Sequence, residues 1–307
     1  MKPYAEQFLE CGEPYSNFDS AAVAILPVPY EGGVSFGKGA ALAPDAVIEA
    51  SRHLELYDES LKAEPHRMGI VTVAPPEISQ DPALLQDAVF FRVRDLLNAG
   101  KFTVMLGGDH SITYGYVKAL VEQCGRISVI QLDAHADLRK TYEGSKFSHA
   151  CIMSRIRALT GDTLQIGIRS MSIEEAEEIA RDNIPLCTME EYRNGNFDLD
   201  EALDRLPDPV FITIDVDVFD WSVIRSTGTP EPGGLLWDEA IELVKKIFSR
   251  RNIVGFDFVE LCADEGDRNS SFAVAKLLYK MLGYKLAAAV AQGSLRWPEA
   301  PAGTLFR

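Results

Sequence analysis

The chain reads as an α/β protein built on one parallel sheet with helices on both faces. Three observations predict this. Short β-branched runs alternate with longer segments of helical period, the rhythm of βα units. The strand runs are mostly apolar throughout rather than alternating in polarity, as expected of parallel strands covered on both sides. No linker, low-complexity tract or internal repeat breaks the pattern, so 1–307 is expected to be a single domain.

The elements follow in order. Strands are expected at "AAVAILPV" (21–28), "GIVTVA" (69–74), "FTVML" (102–106), "RISVIQL" (126–132), "LQIGI" (164–168), "VFITI" (210–214) and "NIVGF" (252–256), with a short one at "IPLCT". Helical periods fall at about 82–99, 111–124, 146–159, 173–182, 235–249 and 270–288. The last opens at "NSSFAVAKLL", where Asn269 or Ser270 is placed to cap it.

Composition narrows the function classes. The formal net charge is −16, which argues against a nucleic-acid backbone as partner and is compatible with a small cationic one. No apolar run approaches the ~18 to 20 residues needed to span a membrane. The segment "MKPYAEQFLECGEPYS" shows no apolar h-region, so no secretory signal is expected. The cysteines number five and none are paired at C-x-x-C spacing, which disfavours a zinc ribbon or disulfide framework and suits a reducing cytoplasm.

In such a sheet, ligands collect at the carboxyl ends of the strands, and three suspicious stretches lie there. In "VMLGGDHSITYG" a buried strand ends in Gly107-Gly108, followed by Asp109-His110 and a helix opened by Ser111. Taken alone, this is a strand-to-helix turn capped by Asp109 or Ser111. In "VIQLDAHADL", Asp133, His135 and Asp137 alternate with small alanines. On a chain that stays extended, alternate side chains face one way, ~6.6 Å apart, so the three would converge. Asp133 directly follows an apolar strand, where an unpaired carboxylate is costly. In "VFITIDVDVFD", Asp215 and Asp217 repeat the arrangement. Neighbouring carboxylates raise one another's pKa, and a divalent cation removes the conflict.

Together these offer two histidines and four aspartates: His110, Asp133, His135, Asp137, Asp215 and Asp217. Nitrogen and hard oxygen donors without thiolate suit Mn²⁺ better than structural zinc. Six ligands exceed the need of one ion with open positions. Two ions ~3.5 to 4 Å apart, bridged by carboxylates, would use them all.

At these residues the chain resembles a known family. "GGDHS", "DAHAD" and "IDVDVFD…STGTPEPGG" match the ureohydrolase pattern of arginases and agmatinases. The segment 27–51 is similar to that family's N-terminal segment, and "DFVEL" (257–261) to its late strand. "KFSHACIMSRI" and "HLELYDESL" look more like agmatinases. The resemblance implies a three-layer α/β/α fold around an eight-stranded parallel sheet and two Mn²⁺ per chain. His110, Asp133, Asp137 and Asp215 would hold one ion. Asp133, His135, Asp215 and Asp217 would hold the other, with Asp133 and Asp215 bridging. Asp137 would also accept a hydrogen bond from the nucleophile. His149 matches the family's proton-shuttling histidine, Glu260 the acid that grips the guanidinium, and Thr229 a nearby hydroxyl. The implied reaction is hydrolysis of agmatine to putrescine and urea, a step of polyamine biosynthesis, by a homo-oligomer (trimer or hexamer). Taken singly, His149 and Glu260 would more often be surface residues. His53 and His66 carry no motif and read as structural or solvated.

The departures concern the substrate's far end. Trp221 follows Asp220 where the family usually has proline, and Cys262-Ala263 stands where Asn-Pro is frequent. They leave guanidinobutyrate, arginine and formiminoglutamate as rival substrates. A single-zinc deacetylase on the same general fold would need fewer acidic ligands. A catalytically silent metal-binding regulatory subunit is the rival from outside enzymology. It fits poorly with a complete ligand set plus His149 and Glu260.

Overall fold

The computed structural model describes residues 4–293. Eight strands form one sheet: β1 (Val23–Val28), β2 (Ile70–Thr72), β3 (Phe102–Gly107), β4 (Ser128–Leu132), β5 (Thr163–Ile168), β6 (Leu186–Thr188), β7 (Val210–Asp215) and β8 (Ile253–Val259). Their order is β2-β1-β3-β8-β7-β4-β5-β6, and every pairing is parallel. The expected architecture, three layers around an eight-stranded parallel sheet, is what the chain adopts.

Both faces of the sheet are apolar, and each strand feeds two cores. Val23 and Ile25 of β1, Val104 and Leu106 of β3, and Ile212 and Ile214 of β7 face one core. The helices α1 (Ala43–Ser51), α8 (Trp237–Arg250) and α9 (Arg268–Ala291) close it, through residues such as Val47, Val244 and Leu278. Ala24, Leu26, Met105 and Phe211 face the other way. There α2 (Pro82–Asn98), α3 (Thr113–Cys124) and α4 (Ile152–Leu159) pack, through Val89, Val117 and Ile156. Burying each such aliphatic side chain contributes about 1.5–3 kcal/mol, which is why the strands carry no polar-out alternation. The remaining helices are α5 (Ile173–Asp182), α6 (Met189–Asn194) and α7 (Leu199–Arg205).

Four sequence expectations are corrected. The helix expected over 146–159 begins only at Ile152; a 3-10 turn, His149–Cys151, precedes it, and this turn holds His149 inward. The last helix starts at Arg268, not at Asn269 or Ser270. Asp267 is its cap, accepting from Asn269 N at 3.1 Å and Ser270 N at 3.3 Å. Helix α8 begins at Trp237 rather than 235. Helices α1, α6 and α7 were not expected: at nine, six and seven residues they are too short for a clear period and depend on packing.

The four central strands, β3, β8, β7 and β4, end side by side. Asp109 and His110 follow β3, Glu260 follows β8, Asp215 is the last residue of β7 with Asp217 just beyond it, and Asp133 to Asp137 follow β4.

Candidate metal centre

At the end of β3 the chain passes through Gly108, whose amide bonds to Val28 O at 3.1 Å, and through Asp109, whose amide bonds to Tyr30 O at 2.8 Å. Asp109 does cap the turn, accepting from Ser111 N at 3.0 Å, and its other oxygen accepts from Gly33 N at 2.6 Å. This capped turn sends His110 into the sheet's carboxyl edge, fully buried. Its Nε2 lies 2.8 Å from Thr213 Oγ1. With Nε2 donating there, the Nδ1 lone pair faces the site.

Around His110 Nδ1 stand Asp133 Oδ2 at 3.3 Å, Asp137 Oδ2 at 3.4 Å and Asp215 Oδ2 at 3.4 Å. None of them makes a hydrogen bond to it, and Nδ1 is a buried polar atom without a partner. Three carboxylate oxygens thus face one imidazole nitrogen without a hydrogen bond among them. Ligand atoms of His110, Asp133 and Asp137 lie within 4.8 Å of one another, as do those of Asp133, His135 and Asp217. The two groups share Asp133. His135 Nδ1 is 2.8 Å from Asp217 Oδ2 and 3.7 Å from Asp133 Oδ1. The donor chemistry and the orphaned Nδ1 both fit a pair of divalent cations.

Backbone bonds aim these carboxylates. Asp215 Oδ1 accepts from Asp217 N at 2.9 Å, Asp217 Oδ1 from Ala134 N at 3.0 Å, and Asp133 Oδ1 from His135 N at 2.6 Å. Asp133, His135 and Asp137 converge as expected, but not on an extended run. Asp137 has φ of 53°, a left-handed conformation that aspartate tolerates better than most residues. Its carbonyl accepts from Met153 N at 3.0 Å and Ser154 N at 3.2 Å, and Leu138 N is held by Glu175 Oε1 at 2.9 Å. The turn is therefore fastened to α4 and α5.

Burial dominates the electrostatics. It lifts Asp215 well above the carboxylate range, helped by the charges of Asp217 and Asp133. Burial, then Asp133, raises Asp137 to about 7, and the same pair of causes raises Asp217. Burial works against charge at Asp133 too, but His110 and His135 outweigh it and hold that carboxyl below its usual range. For His135, burial is overcome by Asp133 and Asp217, pushing it up to about 12; His110 is also raised, by Asp133, Asp137 and Asp215 against its burial. Cations bound between these histidines and carboxylates would relieve the same repulsion.

Glu260 follows β8 with φ of 65°; a non-glycine residue held there costs roughly 1–3 kcal/mol and such residues cluster at functional sites. It is buried, its amide donates to Gly108 O at 2.8 Å, and its Oε1 accepts from His110 N at 2.8 Å. Burial, then Asp109, raises its pKa well above normal. His149, 9% exposed, stands with Nδ1 3.5 Å from Glu260 Oε1. Burial, followed by the charges of His110 and His135, pushes His149 down to about 4. The contact is close enough for an ion pair, yet both shifts favour the neutral forms, so we read it as neutral against neutral. Neither residue is the surface group that its type alone would suggest. Thr229 Oγ1 lies 3.4 Å from Asp217 Oδ2, while Gly228 is the member of that loop beside Glu260. His66 is buried edge-on against Tyr15, and His53 is exposed.

Several supporting residues escaped the sequence reading. Gln131 Nε2 donates to Asp133 Oδ2 at 2.6 Å, and Gln165 Nε2 to Ala136 O at 2.7 Å. With Thr213, they are polar residues inside apolar strands, a signal that could have found them. Arg169 donates to the carbonyls of Asp217 (2.6 Å), Glu231 (2.8 Å) and Pro232 (3.0 Å); a lone arginine after a strand gives no such warning. Beside the centre opens a cleft of about 730 Å³ lined by Trp221, Thr227, Cys262, Ala263, Asp264 and Glu265, among others. The residues that depart from the family pattern therefore meet in one place.

Fold and site define an α/β protein with two linked groups of candidate cation ligands at the carboxyl edge of a parallel sheet. Comparison with known proteins carries this further. The family model described as "Arginase family" matches residues 21–283, and the chain belongs to that family of amidinohydrolases. It is 41% identical over 287 residues to an N(1)-aminopropylagmatine ureohydrolase of Synechocystis sp., covering 91% of this chain and 94% of the relative. With an agmatinase of Pyrococcus horikoshii it shares 33% identity over 289 residues, 92% and 99% of the two chains. The crystal structure of agmatine ureohydrolase of Thermoplasma volcanium superposes with a TM-score of 0.82 at 29% identity, over 95% of this chain and 96% of that one. Among the described residues no helix is long and apolar enough to cross a membrane.

Proposed function

We propose that this chain is a binuclear manganese ureohydrolase that cleaves a guanidino compound, foremost agmatine, to putrescine and urea. The observation that carries the reading is His110 Nδ1, unpartnered and ringed by three carboxylate oxygens beside Glu260. The proposed ligands are His110, Asp133, Asp137 and Asp215 for one ion and Asp133, His135, Asp215 and Asp217 for the other. Such a pair, when bound, supplies a hydroxide nucleophile near neutral pH. A cytoplasmic homo-oligomer, trimeric or hexameric, and a single domain over 1–307 belong to the same proposal; residues 1–3 and 294–307 of that span lie outside the described residues.

The side chains divide the remaining work. Glu260, buried and reluctant to ionise alone, becomes a carboxylate when a guanidinium pairs with it, and its bidentate geometry orients the planar group. Thr229 contributes a hydroxyl at the rim. His149, neutral at working pH, takes a proton at Nδ1 and returns one to the leaving nitrogen. Asp137 accepts a hydrogen bond from the attacking water.

A second reading concerns the substrate's tail. The cleft, lined by Trp221, Asp264 and Glu265 as well as Lys38 and Arg225, has volume for a longer chain than agmatine's, and its aromatic face and two acids would take an ammonium group with the two cations as the opposing charges. Together with the identity to the Synechocystis relative, this favours N(1)-aminopropylagmatine as the competitor to agmatine. Urea release from agmatine, N(1)-aminopropylagmatine, guanidinobutyrate and arginine, and formamide release from formiminoglutamate, all with Mn²⁺, decide between them. Neither urea nor formamide from any of them, with two ions bound, would leave the regulatory-subunit reading standing.

A further inference from the structure

The loop between β1 and α1 holds a serine to which the scheme above gives no role. Its ends are fastened by the backbone. Gly33 N donates to Asp109 Oδ2 at 2.6 Å, and Gly33 O accepts from His149 N at 3.4 Å. Gly37 N donates to Gly228 O at 3.1 Å; a Cβ on Gly37 would come within 2.7 Å of Gly228 Cα, so the two strands of chain touch. Gly39 N is held by Glu31 Oε2 at 2.8 Å. The loop thus joins the segment before His110, the segment bearing His149 and the segment beside Glu260. Between the two fastenings Ser35 Oγ lies 2.9 Å from His149 Nε2.

We propose that Ser35 is a positioning residue for His149: its hydroxyl fixes the ring's orientation and tautomer and connects Nε2 to solvent. The proposal rests on the proton-transfer role given to His149 above. The plain alternative is that Ser35 only anchors the loop. That anchoring is already supplied by backbone bonds on either side of it. The serine instead engages the one ring nitrogen that faces away from Glu260. A neutral imidazole has one donor and one acceptor nitrogen, so whatever bonds to Nε2 decides what Nδ1 can do.

His149 is 9% exposed and Ser35 is half-buried, so the serine is the more open of the two to solvent. Hydrolysis of a guanidinium to an amine and urea has no net proton change. Its proton release and uptake are separated in time, however, and the ring must pass protons in both directions. When the attacking water gives a proton to Nδ1, the Nε2–H bond breaks toward Ser35 Oγ, which releases its own proton to solvent. When the amine leaves, Nδ1–H breaks toward it, Ser35 O–H passes to Nε2, and Ser35 takes a proton from solvent. Each leg leaves Ser35 as a hydroxyl and the ring neutral, and the two legs together restore the starting tautomer.

Ser35→Ala, Ser35→Thr, His149→Ala and the double variant Ser35→Ala/His149→Ala test this in the manganese-loaded chain. The readouts are bound metal, melting temperature, and kcat and KM for the guanidino compound hydrolysed fastest in the panel above. For Ser35→Ala we expect kcat to fall roughly tenfold, short of the ~10²- to 10⁴-fold cost of losing the acid–base group itself. KM, metal content and melting temperature should stay as in the parent, and Ser35→Thr, which keeps the hydroxyl, should restore kcat. Because the two residues act as a unit, the double variant should be no slower than His149→Ala. Parental kcat in Ser35→Ala beside an impaired His149→Ala would overturn the proposal, as would losses that multiply in the double variant. Parental turnover in His149→Ala would sink the His149 assignment itself, and the role of Ser35 with it.

Discussion

Gly108 is where the fold and the centre depend on the same atom. It sits between β3 and His110, and a Cβ added there would lie 1.7 Å from Tyr30 O, 2.6 Å from Tyr30 C and 2.8 Å from Tyr30 N. Its φ is not left-handed, so the constraint is close approach, not backbone strain. In Gly108→Ala the methyl and the Tyr30 carbonyl must part by roughly 1.5 Å to reach ordinary contact. That movement works against three backbone bonds: Gly108 N to Val28 O, Asp109 N to Tyr30 O and Glu260 N to Gly108 O. Losing two of them costs about 1 kcal/mol each, and forcing a methyl into packed surroundings adds about 1–3 kcal/mol. The expected destabilisation is about 3–5 kcal/mol, a drop in melting temperature of roughly 5–8 °C for a chain of this size. Since the shift carries both His110 and Glu260, turnover should fall by about 10²-fold or more in protein that is still folded. Thermal unfolding and urea release on the same samples measure both effects. Gly161→Ala is the control: nothing lies within 4 Å of its added Cβ, and its stability should stay within about 1 kcal/mol of the parent. A Gly108→Ala protein that melts within about 2 °C of the parent and retains its turnover would refute the reasoning, since the steric and catalytic arguments share one displacement.

Three further outcomes are expected. Asp215→Asn should lose metal and activity together, whereas Asp220→Asn should keep its metal, because Asp220 is occupied with Ser222, at 3.0 Å to its amide and 2.7 Å to its hydroxyl; equal metal loss in the two, by metal analysis after Mn²⁺ loading, would show the ligands misassigned. Stripping the metal should lower the melting temperature and re-adding Mn²⁺ should restore it, by about 2.7 kcal/mol when free ion reaches a hundred times its Kd; an unchanged melting curve would mean that the carboxylate cluster needs no cation. Asp257, buried with Oδ1 unpartnered, is raised from 3.8 to about 6, by burial first. The folded chain holds this proton where the unfolded one has released it, so the group's contribution is full below pH 3.8 and is lost as pH rises to about 6. Relative to the parent, Asp257→Asn should therefore gain about 3 kcal/mol of stability across that window, and parallel stability curves would contradict the assignment.

What could be read in the sequence follows from how local each feature is. The strand ends were legible because Asp109-His110, Asp133 to Asp137 and Asp215 to Asp217 each follow an apolar run within a few residues. A carboxylate there has few inexpensive explanations. The route by which Asp137 reaches the centre was not legible. Its left-handed turn is imposed by Glu175, Met153 and Ser154, all contributed by later helices. Ser35 was hidden for the same reason: it meets His149 across 114 positions, and a serine in a glycine-rich loop carries no periodicity or charge pattern. Helices α1, α6 and α7 were missed because helices that short take their stability from neighbours.

The same distinction explains why the chemistry is better defined than the substrate. Every proposed ligand lies at or within five residues of the end of β3, β7 or β4, so the sheet sets most of their separations, and backbone bonds to α4 and α5 fix Asp137. The cleft proposed for the tail is assembled differently. Trp221, Thr227, Cys262 and Glu265 line it, and they come from loops after β7 and β8 that the sheet does not hold in register. Substitutions there can change the length and charge of an acceptable tail without moving His110 or Asp133. Trp221 and Cys262, the two departures that leave all six ligands in place, are accordingly where a change of substrate would have to be written.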